Sequence, residues 1–328
     1  MQINVRGHKM NLSNILPLFV LTVIWAVVPT FVSSRLWLSV FVLVFIKATA
    51  SVSLRTLGLS GNISFAHGSF MAVGAYTAAI LANNLGVPAY ITIPAGAVIA
   101  MLIGILTGFP FIRLRSLYFT MASMFLGLSI VYIVSALKVT GGQLGITHIP
   151  GLFSSIKAYY YFFFGLAVVS CAIMYRFEFS RIGITLRALA QSPEAATAMG
   201  VNEASLRILA VAVGCFFSGL AGSAYAHFNA MLSPNSFGLL SSLWLLMYIM
   251  IGGADKFIGP ILGTIVFVIL PEISRSMNQY SPFITAAVVV AIAYLLPGGL
   301  ASMPNVIKQS VSNRRERRAI AVTKAEDE

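Results

Sequence analysis

FEFSRIGITLRALAQSPEAATAMGVNEASL, residues 177–206, is the longest interruption of apolar sequence between the first hydrophobic run and the C-terminal tail. It is basic at its start, with Arg181 and Arg187, small and helix-forming in its middle, and it ends where another apolar run begins. Ser192 can cap a helix, Pro193 suits the first helical position, and Glu194 favours the positive helix end. Ala195, Ala196 and Ala198 build that short helix, and such small side chains let another protein's groove come close. Gly200 can end it as a left-handed terminator. Asn202 can cap the next helix, which runs on into the following apolar run. The stretch reads as helix, short helix, turn, then membrane. A competing reading makes it an amphipathic connector lying on the membrane surface.

The sequence on either side is nearly all membrane-type. Of 328 residues, 58% are hydrophobic and only 9% charged, with a mean hydropathy of +0.90. A soluble domain carries about 25% charged residues. This chain cannot cover a water-facing surface and is expected to be an all-α integral membrane protein. Apolar runs mark about ten transmembrane helices, at 15–32, 36–54, 63–82, 90–112, 117–137, 158–175, 207–228, 238–252, 257–271 and 282–297. Most approach the ~20 residues needed to cross a bilayer. The alternating pattern of an outer-membrane barrel is absent. The eighth and ninth runs are short and separated by Gly252-Gly253-Ala254-Asp255-Lys256, so they could form one re-entrant element. Eight spans is then the alternative, with the first run also dropped. The run 15–32 could belong to a signal peptide, but it is long and lacks a small-residue cleavage site.

Lysine and arginine placement sets the orientation. With the N-terminus in the cytoplasm, only Arg35, Lys138, Lys157 and Arg275 fall outside, and Lys47 lies within a span. The remaining basic residues lie inside, which predicts both termini cytoplasmic. The resulting organisation is a cytoplasmic segment 1–14, a transmembrane domain 15–300 containing the cytoplasmic loop 177–206, and a cytoplasmic tail 301–328. The end of that tail is basic, then acidic, and suits anionic lipid. The net charge of +12 comes from scattered topology signals, so a nucleic-acid partner is not expected. Cys171 and Cys215 both fall in predicted spans, which argues against a disulfide framework, and no metal-ligand spacing occurs. Gly58-Leu-Ser-Gly…Phe-Ala-His67 resembles Gly219-Leu-Ala-Gly…Tyr-Ala-His227, a likeness best read as chance.

Residues 58–81, GLSGNISFAHGSFMAVGAYTAAIL, are unusual for a membrane span. Four glycines, Gly58, Gly61, Gly68 and Gly74, would each weaken a helix by up to about 1 kcal/mol relative to alanine. Broken backbone at membrane depth belongs in a protein interior or beside a water-filled cavity. A pore-lining, partly broken helix start is one reading, and tight packing with His67 as a hydrogen-bonded core residue is the other. Lys47 sits past the middle of the second span, where an ionisable side chain is a functional candidate unless it snorkels or pairs. Candidates for a translocation path are Lys47, Asn62, Ser64, His67, Tyr76 and Thr120. Arg113 and Arg115 read as topology anchors. The glycine-rich stretch Thr140–Thr147 is an outer loop that could meet an external partner or simply turn. No phosphate-binding loop, H-E-x-x-H or G-x-S-x-G occurs, and no acidic residue precedes Glu178. The chain is not expected to be an enzyme, and any nucleotide site lies on another chain.

Glu194-Ala195-Ala196-x-x-x-Gly200 resembles the coupling motif of permease subunits in bacterial ABC importers. Gly61–Tyr76 is similar to the signature of branched-chain amino-acid (LIV) permeases. So are Leu114–Thr120, Thr140–Ile146, Gly219–His227, Ser233-Pro234 and Gly252-Gly253…Gly259-Pro260-x-x-Gly263. Order and spacing, over roughly residues 37–300, resemble the LivM-type subunit more than the LivH type. The loop departs from other importer permeases in lacking an Ile-x-Leu-Pro extension after Gly200. Several expectations follow from this resemblance alone. They are a second, paralogous permease subunit, two cytoplasmic ATPase subunits that hold ATP and Mg, and an extracytoplasmic solute-binding protein. The setting would be the bacterial inner membrane. Arg181, Arg187, Glu194, Ala195, Ala196 and Gly200 would couple the chain to an ATPase. Relatives carry leucine-type and other amino acids, urea, amides or aromatic acids. The alternative from a different class is an ion-gradient-driven secondary transporter. Such proteins place acidic or histidine relays within spans, whereas the acidic residues here sit near span ends, in loops or in the tail.

Overall fold

A computed structural model describes residues 2–5, 8–32, 34–111, 114, 116–296 and 298–303. It divides into two compact units, Met1–Met247 and Tyr248–Glu328. A short antiparallel hairpin, β1 (Gln2–Val5) and β2 (His8–Asn11), opens the chain; the apolar pattern gave no sign of it. The helices that follow are α1 (Leu12–Phe31), α2 (Arg35–Gly58), α3 (His67–Leu85), α4 (Ala89–Phe111), α5 (Ser116–Ala136) and α6 (Ile156–Glu178). Next come two short helices, α7 (Arg181–Gln191) and α8 (Pro193–Ala198), and then α9 (Glu203–Asn229), α10 (Leu239–Gly252), α11 (Gly259–Ile273) and α12 (Ser281–Leu295). Each of the ten apolar runs is helical. Six helical stretches among the described residues are long and apolar enough to cross a membrane: 35–58, 89–111, 117–136, 156–178, 203–229 and 234–252. α11 and α12 are shorter, at 15 residues each, about 22 Å against a hydrocarbon core of about 30 Å.

The core of the first unit is α3, α4 and α9, and glycine decides its packing. Lipid supplies no hydrophobic drive between helices, so close backbone approach and interhelical hydrogen bonds must hold them. A Cβ on Gly74 would lie 2.6 Å from the Cα of Gly219, and one on Gly104 would lie 2.7 Å from the Cβ of Cys215. Ser223 Oγ donates to the Gly74 carbonyl at 2.9 Å, and Ser218 Oγ donates to the His67 carbonyl at 2.8 Å. His227 reaches both ways. Its Nδ1 donates to the Pro150 carbonyl at 2.8 Å, which leaves Nε2 to accept from Thr92 Oγ1 at 2.6 Å. The two His-ending segments that look alike in sequence are structurally unlike. Gly219–His227 lies inside α9, whereas Gly58–His67 leaves α2, turns and starts α3.

Contacts fix the helix directions within this unit. Along α3 and α9, His67 meets Ser218 and Gly74 meets Ser223, so these helices run parallel. α5 runs parallel to α3, since Thr120 Oγ1 donates to the Ile63 carbonyl and Ser69 Oγ donates to that of Gly127. α2 and α6 also run parallel, from the Phe45–Tyr160 ring contact to the Arg55–Glu178 ion pair. The turns at 59–66 and 177–206 therefore lie at one end of the bundle. The glycine-rich loop lies at the other, where Ile146 forms a bridge with Leu232. Gly145 (φ +78) packs on the backbone of Leu232 and Ser233, so this loop is a clasp on the segment after α9.

In the second unit, the last turn of α10, from Tyr248 on, packs closely against the start of α11. A Cβ on Gly252 would lie 3.0 Å from the backbone nitrogen of Gly263. Gly253 takes φ +101, a conformation that favours glycine. Lys256 Nζ donates to the Ala301 carbonyl at 2.7 Å, which ties the Ala254–Phe257 turn to the segment after α12.

Candidate functional site

The candidate site lies at the end of the bundle shared by the α2–α3 turn and the 177–206 loop. α7 begins at Ser180, whose Oγ accepts from the Gly183 backbone N–H. Its Leu186 and Leu189 are fully buried, and Leu186 packs with Leu59 and Ala210 against Phe177 and Leu206. α8 is capped by Ser192, which accepts from the Ala195 N–H, with Pro193 at its start and Glu194 in its first turn. Ala196 faces inward, while Glu194, Ala195, Ala198 and Met199 are exposed. Gly200 takes φ +83, and α9 starts at Asn202, which caps the Ser205 N–H at 3.1 Å. Each capping residue acts here as its chemistry dictates.

An ion cluster fastens this loop to the membrane body. Glu178, at the end of α6, is 1% exposed and bonds both Arg55 of α2 and Arg187 of α7. Arg187 also lies over the ring of Phe179, 5.3 Å from its centroid. Three elements thus share one buried carboxylate. Arg207 is buried in the first turns of α9, bonded to Glu203 at 2.8 Å, with its Nε unpaired among the described residues. Between these parts lies a cleft of about 510 Å³, lined by Ser60, Gly61 and Asn62 on one side and by residues of α7, α8 and α9, including Glu194 and Arg207, on the other. Gly61 (φ +80) allows the approach, since a Cβ there would stand 3.1 Å from that of Ala190.

The sequence candidates divide into two groups. Asn62, Ser64 and His67 follow the helix break and are buried, and Thr120 joins them through its bond to Ile63. His67 Nε2 lies 2.7 Å from Ser53 Oγ, whose own proton is directed to the Ala50 carbonyl; His67 Nδ1 has no partner among the described residues. Lys47 and Tyr76 stand apart from that group, deeper in the helices. Tyr76 packs near Phe237, and its hydroxyl is buried without a partner among the described residues. Of the loop residues, Arg181 and Glu194 are exposed, Arg187 joins Glu178, and Ala195, Ala196 and Gly200 shape α8. Arg113 and Arg115 lie outside the described residues. Sequence reasoning missed Glu178 with Arg55, because the two are 123 positions apart. It also missed Met199, a large apolar side chain left 86% exposed at the end of α8. A solitary acid closing an otherwise basic span end was the available signal for Glu178.

Six helices among the described residues that are long and apolar enough to cross a membrane, with a short, exposed helix pinned to one end, define the class as a multi-pass membrane protein. The sequence profile described as "Branched-chain amino acid transport system / permease component" matches residues 15–297, and the chain belongs to that family. It is an inner-membrane permease subunit of an ABC importer. The chain is 28% identical to the high-affinity branched-chain amino acid transport system permease protein LivM of Escherichia coli K12, over 87% of this chain and 74% of that one. It is 26% identical to LivM of Salmonella typhimurium, over 88% and 74%. LivH of Salmonella typhimurium is more distant, at 21% over 76% of this chain and 89% of that protein. No solved structure matches the chain.

Proposed function

We propose that the chain carries branched-chain or related amino acids inward as one of a pair of paralogous permeases. In this reading an external solute-binding protein delivers the solute, and two cytoplasmic ATPase subunits hold ATP and Mg. All ten helices of the apolar runs lie in the membrane, both termini are cytoplasmic, and the 15–300 domain is flanked by the segment 1–14 and the tail 301–328. Asn62, Ser64, His67 and Thr120 at the helix break, with Lys47 and Tyr76 deeper in the bilayer, line or border the translocation path. The observation that carries the coupling role is α8: it is exposed at Glu194, Ala195 and Met199, yet its supporting loop is fastened to α2 and α6 through Glu178. A force on α8 then passes through α7 to two membrane helices.

The test is reconstitution with the partner subunits. Glu194→Lys should lower solute-stimulated ATP hydrolysis and uptake while leaving insertion and melting temperature intact. Gly200→Val should do the same, because a β-branched residue at φ +83 is strained by about 1–2 kcal/mol. Gly200→Asn, which tolerates that conformation, should retain most activity. Unchanged hydrolysis in both Glu194→Lys and Gly200→Val would remove the coupling role from α8.

A further inference from the structure

Lys47 stands near the middle of α2, which runs from Arg35 to Gly58. At 1.5 Å per residue it is about 18 Å from the first end and about 16 Å from the second. Snorkelling serves lysines near helix ends; here roughly three helical turns separate the Lys47 Cα from either end.

Its surroundings sharpen the problem. Phe41 and Phe45 carry the contacts of α2 with Trp25 and Tyr160. Two positions beyond Phe45, Lys47 lies on the opposite side of the helix from α1 and α6. Leu36, Ser39, Leu43 and Lys47, at steps of three and four, form a partly open stripe on a helix that is otherwise largely buried. Among the described residues, Lys47 has neither a hydrogen-bond nor an ion-pair partner. The first unit contains three acidic residues, Glu178, Glu194 and Glu203. All three lie at the loop end, beyond the span's middle, and Glu178 and Glu203 are already paired.

A cation at that depth is stabilised by a counter-charge, and the first unit supplies none. We propose that Lys47 holds a carboxylate that comes from outside the chain. Its source is the transported solute or an acidic side chain of a second membrane subunit. This rests on the chain being an importer permease. It adds the residue and the ligand chemistry.

Two variants, Lys47→Met and Lys47→Arg, test this in the full complex with its partner subunits, purified and reconstituted in liposomes with leucine as the solute. If the carboxylate is the solute's, Lys47→Met leaves the complex intact and leucine uptake falls roughly tenfold or more, as for a lost charge-assisted bond. If it is a partner's, the second permease no longer co-purifies. Lys47→Arg should rescue in either case. An intact Lys47→Met complex with unchanged uptake overturns the proposal. Should Lys47→Met fail to fold, the unaltered complex is treated with a membrane-permeant carbodiimide, which joins a carboxylate to the neighbouring amine. Mass spectrometry should find Lys47 linked to a partner peptide or acylated by leucine; Lys47 recovered unmodified overturns the proposal. If the unaltered complex takes up no leucine, the failure belongs to the proposed function instead.

Discussion

Glu178 is the residue on which the 177–206 loop depends. A buried ion pair contributes little net stability, because desolvation offsets much of the attraction. Breaking one is different, since removing a partner strands a charge. Glu178→Ala would remove the buried carboxylate that faces Arg55, itself 7% exposed, at the end of α2. The expected loss is about 3–5 kcal/mol, read as a lower unfolding midpoint in detergent. Arg187→Ala should cost much less, because the Arg187 side chain is 40% exposed and water already screens it. It should instead loosen α7 from α6, so transport should fall more than stability does. Equal destabilisation by the two variants would show that the carboxylate is not shared unevenly in this way. The same contrast separates the two side chains: loss of stability is the expected mark of removing Glu178, and loss of transport at little cost in stability that of removing Arg187.

At the scale of elements, the α3–α4–α9 packing rests on backbone approach. Gly74→Ala places a methyl group against the Gly219 backbone, where no side chain can swing aside. Overpacking of this kind costs about 1–3 kcal/mol, so the variant should lower yield and melting temperature. Gly58→Ala is the matched control, since a Cβ there meets nothing within 4 Å and alanine favours helix; it should be neutral or slightly stabilising. Equal effects would mean that helix propensity, not close approach, governs these glycines. Much of this level was legible in the sequence. Every apolar run became a helix, and the caps at Ser192, Asn202 and Gly200 could be read from residue chemistry, because capping is local. The glycine-broken entrance at Gly58–Ala66 was legible for the same reason. Pairings across the chain were not. The meeting of Arg55 with Glu178, of His227 with Thr92 and of Gly145 with Leu232 depends on which helices are neighbours, and apolar periodicity does not encode that in a bilayer-embedded bundle. The candidate site was legible as a loop and a helix break, but not as one cleft.

Over the whole first unit, the parallel pairs α2 with α6, and α3 with α5 and α9, require α2 through α6 and α9 to alternate in direction. One end then carries Arg55, Arg176, Arg181, Arg187 and Arg207, and the other carries Arg35, Lys138 and Lys157. That asymmetry matches the inside-positive pattern, and the proposed orientation has the cleft and α8 facing the cytoplasm. Single-cysteine labelling can check this without first removing the native thiols, because Cys171 and Cys215 are both buried. Arg181→Cys and Gln191→Cys should react with a membrane-impermeant maleimide only in inverted vesicles. Lys138→Cys and Lys157→Cys should react only in right-side-out cells. The reverse pattern would place α8 outside, away from any cytoplasmic ATPase, and the coupling role would fail with it. Labelling of one loop cysteine and one outer cysteine from the same side would instead break the helix alternation, and with it the parallel α2–α6 and α3–α9 pairs. Both outcomes are separable from a coupling defect, because the orientation is read before any partner subunit is added.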